Sequence, residues 1–432
     1  MSWKNVKLAD LLTESKVLSE NPNPDKRITV RLKVLGVEKR GIEKEVEGAT
    51  KQYVRRAGQF IYGKQNFHKG AFGIVPKELD GFESSSDLPS FDVDKSCLPE
   101  FIFYFFKQGN FYLELEKIAS GVATQRINTY QFLDLEIPLP PITEQVKIIK
   151  KISEIENKNL KIATELNLQL DLVKKLKQQL LNDAVQGKLV PQNFDDEPAS
   201  ALLARIKTEK AQSGKKEKPL PPITKTEIPF EIPSNWVWCR LGEIGDLKRG
   251  KSKHRPRNDE SLFENGIYPF IQTGDVSKAK FNQDLIITVN NYYNEFGLKQ
   301  SEMQMKGTFC ITIAANIAEC GFLDFDACVP DSIVCFSALN KYFEKYAFYY
   351  LKIAKEELEK FAPATAQKNI NLGILNDLRI PIPPLEEQKR IVEKLEHLMA
   401  QCNALETHIT ESAALNAQLL QQVLREALQS EK

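Results

Sequence analysis

The sequence predicts an α+β protein in which two mixed α/β blocks alternate with two long coiled-coil helices. Three observations lead there. The first is a repeated segment: Ile137-Pro138-Leu139-Pro140-Pro141-Ile142-Thr143-Glu144-Gln145 returns 243 residues later as Ile380-Pro381-Ile382-Pro383-Pro384-Leu385-Glu386-Glu387-Gln388. The second is an apolar periodicity behind each copy. After the first, a four-three spacing picks out Ile148, Ile152, Ile155, Asn159, Ile162, Leu166, Gln169, Val173, Leu176 and Leu180. After the second, the same spacing picks out Ile391, Leu395, Leu398, Cys402, Leu405, Ile409, Ser412, Asn416, Leu419 and Val423. Eight of ten positions in each set are apolar, a seam sustained long enough to argue for a coiled coil. The third is that block openings also match, Trp3, Leu8 and Asp10 with Trp236, Leu241 and Glu243, at an offset of 233. Block two therefore carries ten more residues than block one, and the chain is a tandem of two units.

Block one is expected over 1–140. Short alternating segments such as Ile28–Val37, read as a strand, and frequent Gly and Pro give it mixed α/β character. The spacer segment is 141–187, and its seam helix runs from about Thr143 to Val185, with Pro140 and Pro141 before it, Glu144 in its first turn and Gly187 just past its end. A connector spans 188–233. It holds a short amphipathic helix at 198–210 (Leu202, Leu203, Ile206) and then a flexible stretch with Lys215, Lys216 and Lys218. Leu220-Pro221-Pro222-Ile223-Thr224 imitates the helix-opening motif a third time, but Pro229 and Pro233 stop any seam there. Block two spans 234–380 and the second seam helix 381–432. The blocks match again near their ends, Ala123-Thr124-Gln125 with Ile127 and Asn128 against Ala364-Thr365, Gln367, Ile370 and Asn371. Between these anchors they diverge.

With 59 basic and 58 acidic residues, whole-chain charge selects no partner, but local charge does. Residues 26–69 hold seven Lys and five Arg against four Glu. Arg27 precedes the expected strand and Arg31 and Lys33 lie on it, where Thr29, Arg31 and Lys33 would share a face. The loop Gly63–Gly70 adds Lys64, Gln65, Asn66 and Lys69. Amides of this kind pair bidentately with adenine edges, while Lys and Arg serve guanine or phosphate. The plain alternative is a solvated basic surface. In block two, Lys248, Arg249, Lys251, Lys253, Arg255 and Arg257 fall within ten residues without an acid. Such density on a loop is costly unless an anion neutralises it, the alternative being a disordered basic loop.

Other chemistry is expected to be absent. Gly245, Gly250, Lys251 and Ser252 satisfy a phosphate-loop pattern, but Pro256 prevents the helix that would bind phosphate. The four histidines are scattered, so no metal site is expected. The seven cysteines form no C-x-x-C pair and read as reduced thiols. Phe101, Phe103, Tyr104, Phe105 and Phe106 can stack on bases, but the matching Tyr346, Phe348, Tyr349 and Tyr350 favour core packing. The charged start Met-Ser-Trp-Lys-Asn and the shortness of the apolar run 101–106 suggest no signal peptide and no membrane span, hence a soluble cytoplasmic protein.

The paired seam helices, their Pro-Pro-x-x-Glu-Gln openings and the two divergent blocks resemble the specificity subunit of type I restriction-modification systems. Gly187-Lys188-Leu189-Val190-Pro191, Asp196-Glu197-Pro198-Ala199-Ser200 and Tyr268-Pro269-Phe270-Ile271 with Gly274-Asp275 are further echoes. The resemblance implies two target-recognition domains in inverted orientation, separated by an antiparallel coiled coil that acts as a ruler. It implies double-stranded DNA as ligand, read as an asymmetric bipartite site. It also implies two modification subunits as partners, joined by two motor-nuclease subunits in the restricting form. S-adenosylmethionine, ATP and Mg would belong to those partners, leaving this chain without cofactor or catalysis. The competing classes are a coiled-coil scaffold of another host-defence assembly and a phosphate-loop ATPase.

Overall fold

The computed structural model describes residues 3–41, 50–121, 125–212, 222–338, 340–360 and 370–428. It divides into two compact units, Met1–Gln169 with His408–Lys432, and Leu170–Thr407. The lysines at 215, 216 and 218 lie outside the described residues, as do Ala123, Thr124, Ala364, Thr365 and Gln367 from the repeated block ends.

In unit one, strand Lys4–Lys7 pairs antiparallel with Glu136–Leu139, placing Lys4 opposite Leu139. This clasp brings the two ends of the block together at the foot of the first long helix, Ile142–Val185. Between them lies a four-stranded sheet in the order Leu12–Ser15, Ser90–Val93, Phe60–Tyr62, Phe72–Ile74. Its core is aromatic: Phe60, Tyr62, Phe67, Phe72, Phe91, Phe101, Phe106 and Phe132 are fully buried. Rings meet at centroid distances such as 4.5 Å for Tyr62–Phe132 and 5.0 Å for Phe67–Phe106. Helix Pro99–Lys107 supplies Phe101, Ile102, Phe105 and Phe106 to this core, so these rings are packing groups. Each contributes roughly 1.5–3 kcal/mol of burial. On the helix's other face, the Tyr104 hydroxyl donates to Glu156 at 2.7 Å and Lys107 pairs with Glu156 at 2.6 Å, fixing the block to the long helix.

Unit two repeats the clasp. Strand Val237–Arg240 pairs with Arg379–Ile382, and Val237 faces Ile382. The offsets 233 and 243 convert one register into the other without a slip. They also carry the Leu8 N–H to Leu135 O bond onto Leu241 N–H to Leu378 O. Asn128 and Asn371, 243 apart, cap helices Thr129–Leu133 and Leu372–Asp377. The contents of the frame differ. Here a five-stranded sheet (Gly245–Arg249, Ile333–Ala338, Phe309–Thr312, Cys320–Leu323, Leu285–Ile286) accompanies a four-stranded one (Asn291–Tyr293, Tyr268–Phe270, Ala327–Cys328, Met303–Gln304). Helix Lys341–Lys360 lays Phe343, Tyr346, Ala347 and Leu351 over the core. The connector helix is Ala199–Gln212, burying Leu202, Leu203 and Ile206.

The long helices Ile142–Val185 and Leu385–Ala427 pack together in each unit, running in opposite directions. In unit one, Ile152 shares a cluster with Leu424 and Leu428, while the Asn159 and Asn416 amides donate to each other's backbone carbonyls at 2.8 and 3.2 Å. In unit two, Lys177 pairs with Glu406, and Leu181 and Ala184 join Ile391, Val392 and Leu395. The seam itself needs correction. Ile152, Val173, Ile391, Leu395 and Ile409 are buried, and Ile148, Ile155, Leu166, Leu180, Leu398 and Val423 are half-buried. Ile162, Leu176, Leu405 and Leu419, however, are 47–59% exposed. A strict 3.5-residue repeat drifts about 20° per heptad on a 3.6-residue helix, roughly 90° over the seam, close to one residue's ~100° step. The far ends show that shift: Leu181 and Leu424 are buried where the spacing selects Leu180 and Val423.

Candidate functional site

In unit one the expected strand Ile28–Val37 is a hairpin. Ile28–Val30 pairs with Val37–Lys39, and the loop between them contains Lys33 and Val34 in the left-handed region (φ 56° and 58°). Arg31 and Lys33 therefore leave the strand, and no shared face exists for Thr29, Arg31 and Lys33. The period-2 pattern missed this because the reversal uses Gly36 (φ 99°) with no Asn-Gly or Asp-Gly signal.

The hairpin loop instead docks on the second predicted loop. Lys33 N–H donates to Lys69 O and Val34 N–H to Gly70 O, each at 2.8 Å. Gly70 has φ 81°, and a Cβ there would sit 2.9 Å from Val34 N, so only glycine allows the approach. The union gathers Lys33, Lys64 and Lys69, which make no ion pair among the described residues, beside the half-buried Gln65 and Asn66. Other cations counted in this patch are committed elsewhere. Arg27 pairs with the buried Glu83 at 2.8 Å, and Arg31 with Glu38 at 3.0 Å. Arg55 is buried, bound to Ser84, Ser90 and the carbonyls of Ser15 and Leu88, and burial lowers its pKa to about 10. His68 lies buried between the loop's cations, and burial, followed by Lys69, lowers its pKa.

In unit two the basic segment is half strand, since Lys248 and Arg249 belong to Gly245–Arg249. The anion that its density demands comes partly from the protein. Lys248 and Lys251 share Glu302, whose carboxyl they hold below its usual pKa. Arg255 and Arg257 share Asp331 at 3.3 and 2.6 Å, and Arg249 donates to the Asp331 carbonyl. Lys253 is exposed and has no ion pair among the described residues. Two acids for six cations leave the cluster positive. The loop's backbone is anchored: Gly250, Lys251 and Lys253 N–H groups donate to Ile333, Val329 and Gln300 carbonyls at 2.9–3.0 Å. Those amides cannot cradle a phosphate, which removes the phosphate-loop reading on geometric grounds.

Beside this cluster opens a cleft of about 860 Å³ whose lining includes Arg257, the acids Glu260 and Glu264, and the amides Asn258, Gln272 and Asn291 over Phe263 and Phe270. Its amides were not singled out from sequence. The signal for Gln272 was the Tyr268-Pro269-Phe270-Ile271 and Gly274-Asp275 echo, which flanks it. Nearby, hydrogen bonds from Ser261 and then from the His254 ring lower the Asp259 pKa to about 2. All seven cysteines are buried free thiols. Among the described residues no helix is long and apolar enough to cross a membrane, and no His/Cys/Asp/Glu cluster is placed to hold a metal ion.

The comparisons agree with this two-frame layout. The family model described as type I restriction modification DNA specificity domain matches residues 2–172 and again 233–414. The chain is 30% identical over 269 residues to the type I restriction enzyme EcoAI specificity subunit of Escherichia coli, covering 58% of this chain and 44% of that one. It is 31% identical over 356 residues to the EcoEI specificity subunit of the same species, covering 68% and 59%. The chain thus spans about half the length of these curated relatives. Its fold is similar to the HsdS subunit from Thermoanaerobacter tengcongensis (TM-score 0.59, 20% identity, 100% and 97% coverage). A chain solved in a study of complex assembly and conformational transition of the type I R-M system gives TM-score 0.64 at 21% identity, with 100% and 98% coverage.

Proposed function

Because the chain belongs to the type I restriction-modification DNA specificity family, we propose that it is the DNA-reading subunit of such a system, with one half-site per block. The observation that carries this reading is a shared frame with unlike contents. Clasp register and helix cap coincide under fixed offsets, whereas sheets, loops and exposed cations do not. Two readers of different sequence would be built that way, and the site would be bipartite and asymmetric.

In this reading Lys33, Lys64, Lys69 and Lys253 contact phosphates and fix position, while amides select bases. Gln65 and Asn66 in unit one, with Asn258, Gln272 and Asn291 in unit two, present the paired donor and acceptor that fit adenine N6 and N7. The chemistry falls to partners. Two modification subunits carrying S-adenosylmethionine methylate adenine, and two motor-nuclease subunits use ATP and Mg. An adenine must leave the stack before it is methylated, and that step also belongs to the partner. The assembly would work in the cytoplasm. Replacing residues 12–128 with those of a relative, in the complete complex, should change one half of the methylated sequence and leave the other. Change in both halves, or in neither, would refute the modular reading.

A further inference from the structure

We propose that a groove in unit one, beside Trp3, Glu144 and Lys147, docks an extended segment of a partner polypeptide. That segment offers a side-chain amide and, four residues on, a carboxylate. The inference stands apart from the DNA-reading role and does not need it.

The occupant's chemistry is written in unit two, where the equivalent site is filled by the chain itself. The offsets 233 and 243 carry Trp3 to Trp236, Glu144 to Glu387 and Lys147 to Arg390. In unit two these three side chains grip the segment after the first long helix. Trp236 Nε1–H donates to Glu387 Oε2 at 3.0 Å, and Gln192 Nε2–H donates to the other oxygen, Oε1. Arg390 pairs with Asp196 at 2.6 Å. The segment enters through Gly187, left-handed at φ 70°, where a Cβ would lie 2.5 Å from Pro233 Cγ. Leu189 and Val190 then pack against the core. Trp236 is consequently 6% exposed and Glu387 fully buried, its pKa raised by that burial.

In unit one the same three positions line a groove of about 1010 Å³ that none of the described residues fills. Trp3 and Glu144 are only half-buried and Lys147 is exposed. Neither the Glu144 nor the Lys147 side chain has a hydrogen bond or ion pair among the described residues. Lys4, Lys95 and Lys151 add positive charge to the lining, against one further acid, Glu426. The groove thus keeps the amide acceptor, the carboxylate partner and the indole wall, with a surplus of cations suited to an acidic segment. A backbone clasp of the same register holds both sites (Lys4 opposite Leu139, Val237 opposite Ile382), so their geometry is set in the same way.

The test uses a fluorescein-labelled peptide with the sequence of residues 187–198 and the full-length chain, read by fluorescence anisotropy. Saturable binding is expected. It should weaken at least ten-fold in Lys147→Glu and persist in Arg390→Glu, which damages only the unit-two site. A peptide carrying Asp196→Lys should bind Lys147→Glu better than it binds the unaltered chain. Circular dichroism checks that both variants remain folded. Absence of binding to the unaltered chain, equal affinity for Lys147→Glu, loss only in Arg390→Glu, or failure of the charge-swapped pair would each overturn the proposal.

Discussion

Glu302 and Lys253 belong to one charge cluster, and altering each should move DNA binding in opposite directions. Lys253 is exposed with no internal acid, whereas Glu302 neutralises Lys248 and Lys251. On the proposed DNA-reading role, Lys253→Glu would remove one phosphate contact and add a like charge. The slope of log K against log salt should then fall by about 0.9 to 1.8. Glu302→Gln releases roughly one net positive charge and should steepen the slope by about 0.9. Each ~0.9 of slope changes the ratio of affinities between 50 and 200 mM salt by about 3.5-fold, within reach of an anisotropy titration. Folding should scarcely notice, because Lys248 and Lys251 are 56% and 48% exposed. Pairs of that kind contribute on the order of 0–1 kcal/mol each. The assay is duplex titration at several salt concentrations, on specific and scrambled sequences, with partners supplied. Equal slopes for both variants, or shifts of the same sign, would show that the cluster only closes ion pairs within the fold.

Three more outcomes rest on particular contacts. Gly70→Ala should destabilise by about 1–3 kcal/mol through strain and its clash with Val34, and should weaken DNA binding. Gly58→Ala, at φ 85° but with open space around it, should cost less; urea denaturation compares the two. Asn159→Leu removes the donor to the Asn416 carbonyl but leaves the Asn416 amide bonded to the residue-159 carbonyl, so it should cost about 0.5–1.5 kcal/mol, and Asn416→Leu should add a further loss of similar size in a thermal double-mutant cycle. Asp259 has its pKa lowered from 3.8 to about 2, so its contribution is complete above the unfolded value and is lost as pH falls through the folded one. The stability difference between the unaltered chain and Asp259→Asn should therefore shrink between about pH 4 and pH 2.

The long-range frame was legible because it is written as an arithmetic identity between residues far apart. Offsets 233 and 243 state which positions of the two blocks are equivalent, and the structure carries the pairing of Lys4 with Leu139 onto that of Val237 with Ile382 accordingly. The helices were legible from period and punctuation, with Gly187 left-handed just past Val185. Local reversals were not. The turn at Lys33–Gly36 carries two non-glycine residues at positive φ, held by hydrogen bonds to residues 69 and 70 that no local pattern encodes. Nor could a charge count reveal the burial of Arg55, the pairing of Arg27 with Glu83, or the acids Glu302 and Asp331 contributed from 51 and 76 positions beyond Lys251 and Arg255. Which amides share the cleft at Arg257 is likewise a tertiary fact, because Gln272 and Asn291 meet there only through the pairing of Tyr268–Phe270 with Asn291–Tyr293.

A clasped frame also explains why the contents can change freely. Each block leaves one strand of its clasp and returns to the other, so its interior is a closed loop whose ends are held whatever lies between. Closure entropy grows only logarithmically with loop length, so block two's ten additional residues cost about 0.1 kcal/mol or less in closing the frame. The interior must then bury its own core, and the two do so differently, with one aromatic cluster over a four-stranded sheet in unit one, and in unit two a five-stranded sheet under helix Lys341–Lys360 beside a second, four-stranded sheet. What the frame cannot tolerate is a slip of register. A one-residue shift of Glu136–Leu139 against Lys4–Lys7 would turn the fully buried Ile137 outward and displace Pro140 and Gln145. Gln145 holds Leu98 N–H and the carbonyls of Ser96 and Pro140, so the long helix would lose its anchor to the block. Variation is therefore cheap between the clasp strands and costly within them, the distribution that the proposed reading role would require.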